Sequence, residues 1–387
     1  MDLSHILNDL GEAPEAYHGA VVPPIAQTSN FCFADVAAMR EALRREQHVP
    51  FYTRGTNPTT DILRKKLAAL EGTEDALVFA SGSAAVAAAV MQHLGSGDHV
   101  VLVQKPYSWT HKLLTRLLAR FGVATTEVDG TRTAAFEEAL RPETKLIYLE
   151  SPNSLTFELQ DLAAVATLAR ARGVATVIDN STATPLGQRP ADLGVDVIIH
   201  SATKYVGGHS DAVAGVVCGS AAFIADLFAS EYMTLGGVLS PFNAWLLLRG
   251  LRTLPLRFER SSRTAEALAT FMQTQPDVAR VYYPFLPDHP QAALARQQMR
   301  WAGGQFSVML RTDAWAAVER FCNALRRFRL ACSWGGYESL AFPMCALADA
   351  ANYDRAAPFQ LVRLYAGLEE PEALRDDLAG ALAAMRA

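Results

Sequence analysis

The sequence lacks the features of several large classes of protein. Its 387 residues include five cysteines, at positions 32, 218, 322, 332 and 345, and no Cys-x-x-Cys pair. We therefore expect neither a disulfide framework nor a zinc finger, and the cysteines suit reduced thiols. Lysine and arginine form no dense cluster and the net charge is −5, so no nucleic-acid-binding surface is predicted.

Long apolar runs are missing as well. No run approaches the roughly 20 residues that a membrane helix needs. Residues 1–20 contain four acidic residues and no apolar core of a signal peptide, so we expect a cytoplasmic protein with no membrane partner. A metal site is not expected either, because His200 and His209 lack helical ligand spacing; both are interpreted as structural.

The composition that is present is that of a globular protein, with 50% hydrophobic and 19% charged residues. A chain of this length exceeds one hydrophobic core, so two domains are expected. Residues 1–57 contain four prolines and only short apolar runs, which predicts an N-terminal arm without a core of its own. Residues 58–245 are predicted to form a large domain and residues 246–387 a smaller α+β domain.

The large domain alternates short apolar runs with helical patterns. A helix over residues 162–172 has Gly173 as its C-cap. Strand–helix alternation predicts an α/β fold with a mostly parallel sheet covered by helices on both faces. The predicted strands cover residues 76–79, 100–103, 146–149, 176–178 and 195–199. In the smaller domain we predict strands over residues 306–310 and 361–365 and helices over 246–256, 263–274, 314–325 and 372–385.

Three central strands end in a polar residue. Glu150, Asp179 and His200 each follow an apolar run directly. Ligands of open parallel sheets bind at the carboxyl ends of the strands. We therefore expect a cofactor at the edge where these residues lie.

Lys204 follows the last of these strands, with Ser201 and Thr203 just before it. A partly desolvated lysine at this edge can be an uncharged nucleophile toward an aldehyde, and the two hydroxyls can donate to a phosphate. An exposed lysine after a strand is the alternative. Asp179 favours the nucleophile, because a carboxylate there can hold the proton on a pyridinium nitrogen; a turn cap is its own alternative.

An anion site is predicted where the first strand meets an alanine-rich helix. Gly82 and Ser83 open that helix, whose free N–H groups and dipole favour a phosphate; the same turn is also typical of a simple helix cap. Tyr107 follows the second strand. Its ring could stack on a planar cofactor and its hydroxyl could carry a proton, or it could be a packed loop aromatic.

Together these motifs resemble the cysteine/methionine-metabolism family of fold-type I pyridoxal-phosphate enzymes. The resemblance extends from near Ala20 to near Pro371 and implies the fold-type I fold, with a large parallel-sheet domain and a smaller C-terminal domain. It also implies pyridoxal 5′-phosphate as the cofactor. The segments that carry it are Tyr52 to Thr59 (YTRGTNPT), Glu150 to Asn153 (ESPN), Asp179-Asn180, Ser201 to Asp211 (SATKYVGGHSD) and Arg249 to Leu254 (RGLRTL).

The resemblance implies roles toward the cofactor. Lys204 carries it as a Schiff base and moves protons, Asp179 pairs with the pyridine nitrogen, and Tyr107 stacks on the ring. Asn153 lies near the 3′-oxygen of the cofactor and the substrate carboxylate. The phosphate is held by Gly82, Ser83, Ser201 and Thr203.

The resemblance also implies contacts with substrate and with a second subunit. Arg363 resembles the arginine that clamps the substrate carboxylate, a task that suits a bidentate guanidinium; a solvated strand residue is the alternative. Tyr52 and Arg54 reach the cofactor phosphate of a neighbouring subunit, and Tyr52 also contacts substrate. A homodimer that builds a homotetramer is therefore expected.

The segment that begins Ser333-Trp334-Gly335 resembles the version found in bacterial cystathionine β-lyases. There the tryptophan lines the pocket and the serine helps to place the carboxylate, whereas Trp334 as a core residue is the alternative. We expect a carbon–sulfur β-lyase that converts cystathionine, a small sulfur amino acid, to homocysteine, pyruvate and ammonia.

Two other functions stay open. A γ-synthase or γ-lyase is favoured by Asn57-Pro58-Thr59, which is typical of the γ-enzymes. A cofactor-binding regulatory protein without catalysis is disfavoured by the complete set of Lys204, Asp179, Tyr107 and Arg363. Thr182 stands where an aromatic residue is expected, and Asn243 stands where aspartate is frequent; the sequence offers no account of Asn243.

Overall fold

The large domain is built on a mixed sheet. A computed structural model describes residues 1–347, 350 and 357–386. In this part of the chain the sheet has seven strands in the order β1-β7-β6-β5-β4-β2-β3. They are β1 (Asp75–Phe79), β2 (His99–Val103), β3 (Ala124–Val128), β4 (Thr144–Glu150), β5 (Ala175–Asp179), β6 (Val197–His200) and β7 (Gly215–Gly219).

The arm and the large domain contain the helices that surround this sheet. They are α1 (Leu3–Asn8), α2 (Val36–Arg44), α3 (Pro58–Glu71), α4 (Gly82–Met91), α5 (Ser108–Lys112), α6 (Thr133–Ala139), α7 (Leu162–Ala171), α8 (Thr184–Gly187), α9 (Ala221–Leu227), α10 (Met233–Leu235) and α11 (Pro241–Arg252). Gly173, at φ 65°, lies just past the end of α7 as predicted.

The sheet is parallel from β3 to β6, and β7 runs antiparallel to both β1 and β6. Its central strands are mainly apolar and buried, in keeping with helices that cover both faces. One core lies on the face that packs against α3 and α11, and a second lies on the face that packs against α4. The predicted α/β fold with a mostly parallel sheet is confirmed, and the reversed strand β7 was not predicted.

The smaller domain contains a second sheet. In the described residues its strand order is β10-β11-β12-β9-β8, and a separate core holds it against its helices. The elements are β8 (Val278–Tyr282), β9 (Gln305–Leu310), β10 (Arg329–Leu330), β11 (Leu340–Pro343), β12 (Leu361–Tyr365), α12 (Leu254–Gln273), α13 (Ala292–Gln298), α14 (Trp315–Ala324) and α15 (Pro371–Met385). Helix α11 crosses the predicted boundary at 245/246, and the domain division stays a prediction.

The N-terminal arm contacts the large domain at its start and again near Pro23 and Ala26, which bond to Trp245 and Thr59. Ile6 and Leu7 of α1 are buried in the core next to α3. Further along, Asn30 forms an isolated bridge with Tyr52, and most of the intervening residues are exposed or half-buried. Among the described residues, no helix is both long and apolar enough to cross a membrane.

Candidate active site

Two carboxylates meet at the carboxyl ends of β4 and β5. Glu150 is the register partner of Asp179, so both side chains lie on the face of the sheet that packs against α4. Asp179 is paired with Ile199 on the other side, which turns the next residue, His200, to the opposite face. Its Nε2 contacts the carboxylate of Glu71 at the end of α3. His200 therefore follows its strand as predicted but does not face the two carboxylates.

Asp179 is oriented by a short turn. Its Oδ1 accepts hydrogen bonds from the backbone N–H and the hydroxyl of Ser181, at 2.9 and 2.5 Å. The Ser181 oxygen in turn accepts from the N–H of Ser201 at 2.6 Å. This chain of contacts links the predicted ring-binding carboxylate to the predicted phosphate segment. Ser181 was not predicted, although an Asp-x-Ser spacing after a strand is a known signal for such a turn.

Helix α4 starts directly against Ser201. Ser81 caps the helix by accepting from the N–H of Ala84. A Cβ atom at Gly82 would lie 2.9 Å from Cβ and Oγ of Ser201, so glycine is required by the close approach. The first turn of α4 offers the N–H groups that suit an anion, and it includes Gly82 and Ser83.

Thr203 is held by the backbone next to this turn. Its hydroxyl donates to the carbonyl of Ala214 at 3.1 Å, and its oxygen accepts the Ala214 N–H at 3.0 Å. Thr203 thus fixes the segment between Ser201 and Lys204 to the start of β7. A direct contact of Thr203 with phosphate stays a prediction.

Lys204 follows β6 of the seven-stranded sheet and contacts the segment that leads into β11 of the five-stranded sheet. Its Nζ donates to Oγ of Ser333 at 2.6 Å and lies 5.3 Å from the centre of the Trp334 ring. Burial, helped by the positive charge of Arg363, lowers the pKa of this amine from 10.5 to about 8. An uncharged amine is therefore accessible near neutral pH, as a nucleophile toward an aldehyde requires.

Arg363 completes the group around Lys204. It lies opposite Phe342 in the β11–β12 pair, and its guanidinium is 5.2 Å from the centre of the Phe342 ring. Its Nη2 donates to the carbonyl of Ser333 at 3.4 Å. The structure thus brings four predicted residues together: Lys204, Ser333, Trp334 and Arg363.

The loop after β4 is closed by its own contacts. Nδ2 of the buried Asn153 donates to Glu158 Oε2 at 3.2 Å, and Oδ1 accepts from Thr156 at 3.3 Å. The neighbouring Ser154, which was not predicted, donates its hydroxyl to Glu150. Asn153 is therefore fixed within the loop, and its contact with the cofactor stays a prediction.

Tyr52 and Arg54 lie in a different concave region. They border a cavity of about 380 Å³ whose lining also includes Gln27, Ser29 and Pro241, and neither Lys204 nor Asp179 takes part in it. The Arg54 guanidinium lies 5.5 Å from the centre of the Tyr52 ring. The structure does not bring these two residues to the Lys204 group of the same chain.

The grouped side chains fit one kind of cofactor. An amine of lowered pKa suits an aldehyde, a carboxylate at a strand end suits a ring nitrogen, and the glycine-opened start of α4 suits a phosphate. In the described residues, no three His, Cys, Asp or Glu side chains converge as metal ligands. Fold and site together define a pyridoxal-phosphate-dependent enzyme.

Comparisons with known proteins identify the family. The family model described as "Cys/Met metabolism PLP-dependent enzyme" matches residues 6–383, and the chain belongs to this family. The chain is 40% identical to L-methionine gamma-lyase of Pseudomonas putida over 381 residues, covering 97% of this chain and 95% of the relative. It is 37% identical over 389 residues to a Rhizobium johnstonii protein named "Putative cystathionine beta-lyase", covering 100% and 96%.

A solved structure agrees with this assignment. The crystal structure of metB from Corynebacterium glutamicum matches with a TM-score of 0.92 at 33% identity, covering 99% of this chain and 98% of the other. The predicted family, fold class, cofactor and enzymatic nature are confirmed. The chain is a pyridoxal-phosphate-dependent lyase or synthase of cysteine and methionine metabolism, and its relatives carry the names of several reactions.

Proposed function

We propose that this chain is a carbon–sulfur β-lyase that converts cystathionine and water to homocysteine, pyruvate and ammonia. The observation that carries the proposal is the contact of Lys204 with Ser333 and Trp334. The amine is 2.6 Å from the serine oxygen and 5.3 Å from the centre of the indole ring. The indole therefore borders the space next to the amine, as the resemblance of this segment to bacterial β-lyases implies.

Each reacting group has a residue of this chain to serve it. The bound cofactor supplies an electron sink for the substrate Cα. Asp179 keeps the ring nitrogen protonated, and Arg363 binds the α-carboxylate in a bidentate contact. Lys204 removes the Cα proton and delivers a proton to the leaving sulfur, with help from the Tyr107 hydroxyl. The Cβ–S bond breaks to release homocysteine, and water converts the remaining 2-aminoacrylate to pyruvate and ammonia.

The phosphate is assigned to the start of α4. The close approach of Gly82 to Ser201 supports this assignment, because it aligns the helix N-terminus with a second donor. Asn153 is assigned to the ring oxygen and substrate carboxylate. The proposed phosphate contacts are Gly82, Ser83, Ser201 and Thr203.

The proposal includes a homodimer, two copies of which form a tetramer. Tyr52 and Arg54 border their own cavity away from Lys204, which suits residues that serve the cofactor phosphate of another subunit, with Tyr52 also reaching its substrate. A cytoplasmic location is also proposed. The five cysteines are free thiols, as expected in a reducing compartment.

A second candidate function is γ-elimination or γ-replacement. The 40% identity to an L-methionine gamma-lyase favours it, as does the Asn57-Pro58-Thr59 segment. Both reactions need a further proton to be removed at Cβ, and Lys204 can remove it as well. The two candidates therefore differ in product rather than in the residues they need.

The test is to incubate the purified holoenzyme with cystathionine and identify the 2-oxo acid by mass spectrometry. Pyruvate is expected, and 2-oxobutyrate would replace the proposed reaction with γ-elimination. Parallel incubations with methionine and with an O-acylhomoserine test the other γ-reactions. Lys204→Ala should lose both turnover and the visible absorbance of the bound cofactor. Lys145→Ala, an exposed lysine of β4, is the matched control and should keep both.

A further inference from the structure

Three segments of the large domain converge on the carboxyl group of Glu150. This residue ends β4 and is only 4% exposed. Its Oε2 accepts the backbone N–H of Tyr107 at 2.6 Å, and its Oε1 contacts the hydroxyl of Ser154. Its register partner on β5 is Asp179. One buried carboxyl group therefore joins the Tyr107 loop, the Ser154 loop and the strand that carries the ring-binding carboxylate.

Burial and the neighbouring charge of Asp179 raise the pKa of Glu150 to about 8. The other groups that face it are the phenol of Tyr148 on the same strand, the Tyr107 N–H and the Ser154 hydroxyl, and all of these are uncharged near pH 7. The raised pKa favours the neutral form of Glu150 near pH 7.

We propose that Glu150 is a positioning residue that fixes the Tyr107 loop, and hence the Tyr107 ring, over the cofactor. It touches neither substrate nor cofactor and acts through the Tyr107 N–H that it accepts. The inference rests on the proposed roles of Tyr107 and Asp179. An uncharged oxygen is enough to accept the Tyr107 N–H. Glutamine at position 150 should therefore keep the function of Glu150, and alanine should lose it.

The first test measures cofactor affinity by titrating the cofactor-free protein with pyridoxal phosphate. Glu150→Gln should stay within about threefold of the unchanged protein, because the amide oxygen still accepts the Tyr107 N–H. Glu150→Ala should weaken binding by about tenfold and reduce the visible circular dichroism of the bound ring, because the Tyr107 N–H loses its acceptor. Glu143→Gln, at the exposed residue just before the same strand, is the matched control and should change neither.

The second test asks whether Glu150 acts through Tyr107. In a Tyr107→Ala background, the further change Glu150→Ala should cost little affinity, whereas independent roles would give additive losses. Additive losses would overturn the proposal, and so would a Glu150→Gln protein that folds but binds as poorly as Glu150→Ala. If Glu150→Ala does not fold, the Gln variant still decides the matter. Both tests measure cofactor binding, so they are independent of which 2-oxo acid the enzyme forms.

Discussion

At the scale of single residues, Lys204 gains its reactivity from its surroundings. It follows the carboxyl end of β6 and contacts Ser333 and Trp334, and Arg363 bonds to the Ser333 carbonyl. Desolvation disfavours the ammonium form, and the guanidinium adds to that effect. In the proposed function the same positive charge would also attract the substrate carboxylate.

This environment predicts a pH dependence for cofactor uptake. Only the neutral Lys204 amine attacks the aldehyde, so uptake by the cofactor-free protein should accelerate with rising pH and level off above the pKa of about 8. Arg363→Gln removes the positive charge beside Lys204 and should raise the pKa of the amine. The pH at which the uptake rate levels off should therefore rise. Stopped-flow absorbance measured across this range checks both points. Uptake rates that level off at the same pH in both proteins would contradict the effect of Arg363 on the pKa of Lys204.

A second prediction concerns the buried pair of Glu71 and His200. Both side chains are at most 2% exposed, and Glu71 also accepts from Asn180 at 3.1 Å. Glu71→Gln should lower the free energy of unfolding by about 2 kcal/mol, because an amide replaces the buried carboxylate that contacts both His200 and Asn180. The matched control is Glu137→Gln, which breaks the exposed pair with Arg172 and should cost under about 1 kcal/mol. Equal losses in urea unfolding would count against this account.

At the scale of elements, the chain start is tied down by a buried lysine. Lys66 of α3 donates to the carbonyls of Ile6 and Leu7, both at 3.1 Å. It also pairs with Glu12 at 3.1 Å, and Arg252 of α11 binds the same carboxylate at 2.9 and 3.1 Å. These contacts hold residues 3–12 against the large domain, although helix α1 alone is too short to be stable.

Removing this lysine should release the chain start without unfolding the domain. Lys66→Met keeps the length of the side chain but loses the charge and all three contacts. Amide hydrogen exchange in residues 3–12 should accelerate by at least about tenfold. Lys65→Met is the matched control, because its exposed amine pairs only with Asp61 among the contacts of the described residues. Equal exchange in the two variants would show that Lys66 is not the anchor.

Strand prediction succeeded where apolar runs are continuous. β2 and β4 are buried along nearly their whole length, and such runs are easily recognised. β3 was missed because Ala124–Val128 includes two threonines and a glutamate at the edge of the sheet. β7 was missed because glycines flank its short apolar run, and its antiparallel direction depends on partners far away in sequence.

At the scale of the whole molecule, the candidate site could be predicted only in part. The polar residues at the strand ends predicted a site that includes Glu150, Asp179 and His200. Because Asp179 pairs with Ile199, His200 lies one residue further along β6 and on the other face of the sheet. The contact of His200 with Glu71 spans 129 residues, and no local pattern encodes it. Glu150 was found, yet its role depends on the folded positions of Tyr107 and Ser154.

The proposed dimer makes a prediction about mixed assemblies. If Arg54 serves the site of a neighbouring subunit, each site combines Lys204 of one chain with Arg54 of the other. Arg54→Ala and Lys204→Ala then remove groups that different chains supply to the same site. Co-expression at equal levels should restore about one quarter of the sites, because half of random dimers are mixed and each mixed dimer has one intact site. Turnover per total chain, relative to the unchanged protein, measures this. A mixture no better than its two parents would mean that Arg54 acts within its own chain.

The hydrogen bond from Lys204 to Ser333 has a consequence for the order of events. Once the lysine bonds to the aldehyde, the serine hydroxyl loses its donor and becomes available beside Arg363. If Ser333 and Arg363 bind the substrate carboxylate as proposed, Ser333 can do so only after Lys204 has bonded to the aldehyde. The proposed function thus implies an obligatory order, in which the cofactor binds before the amino acid.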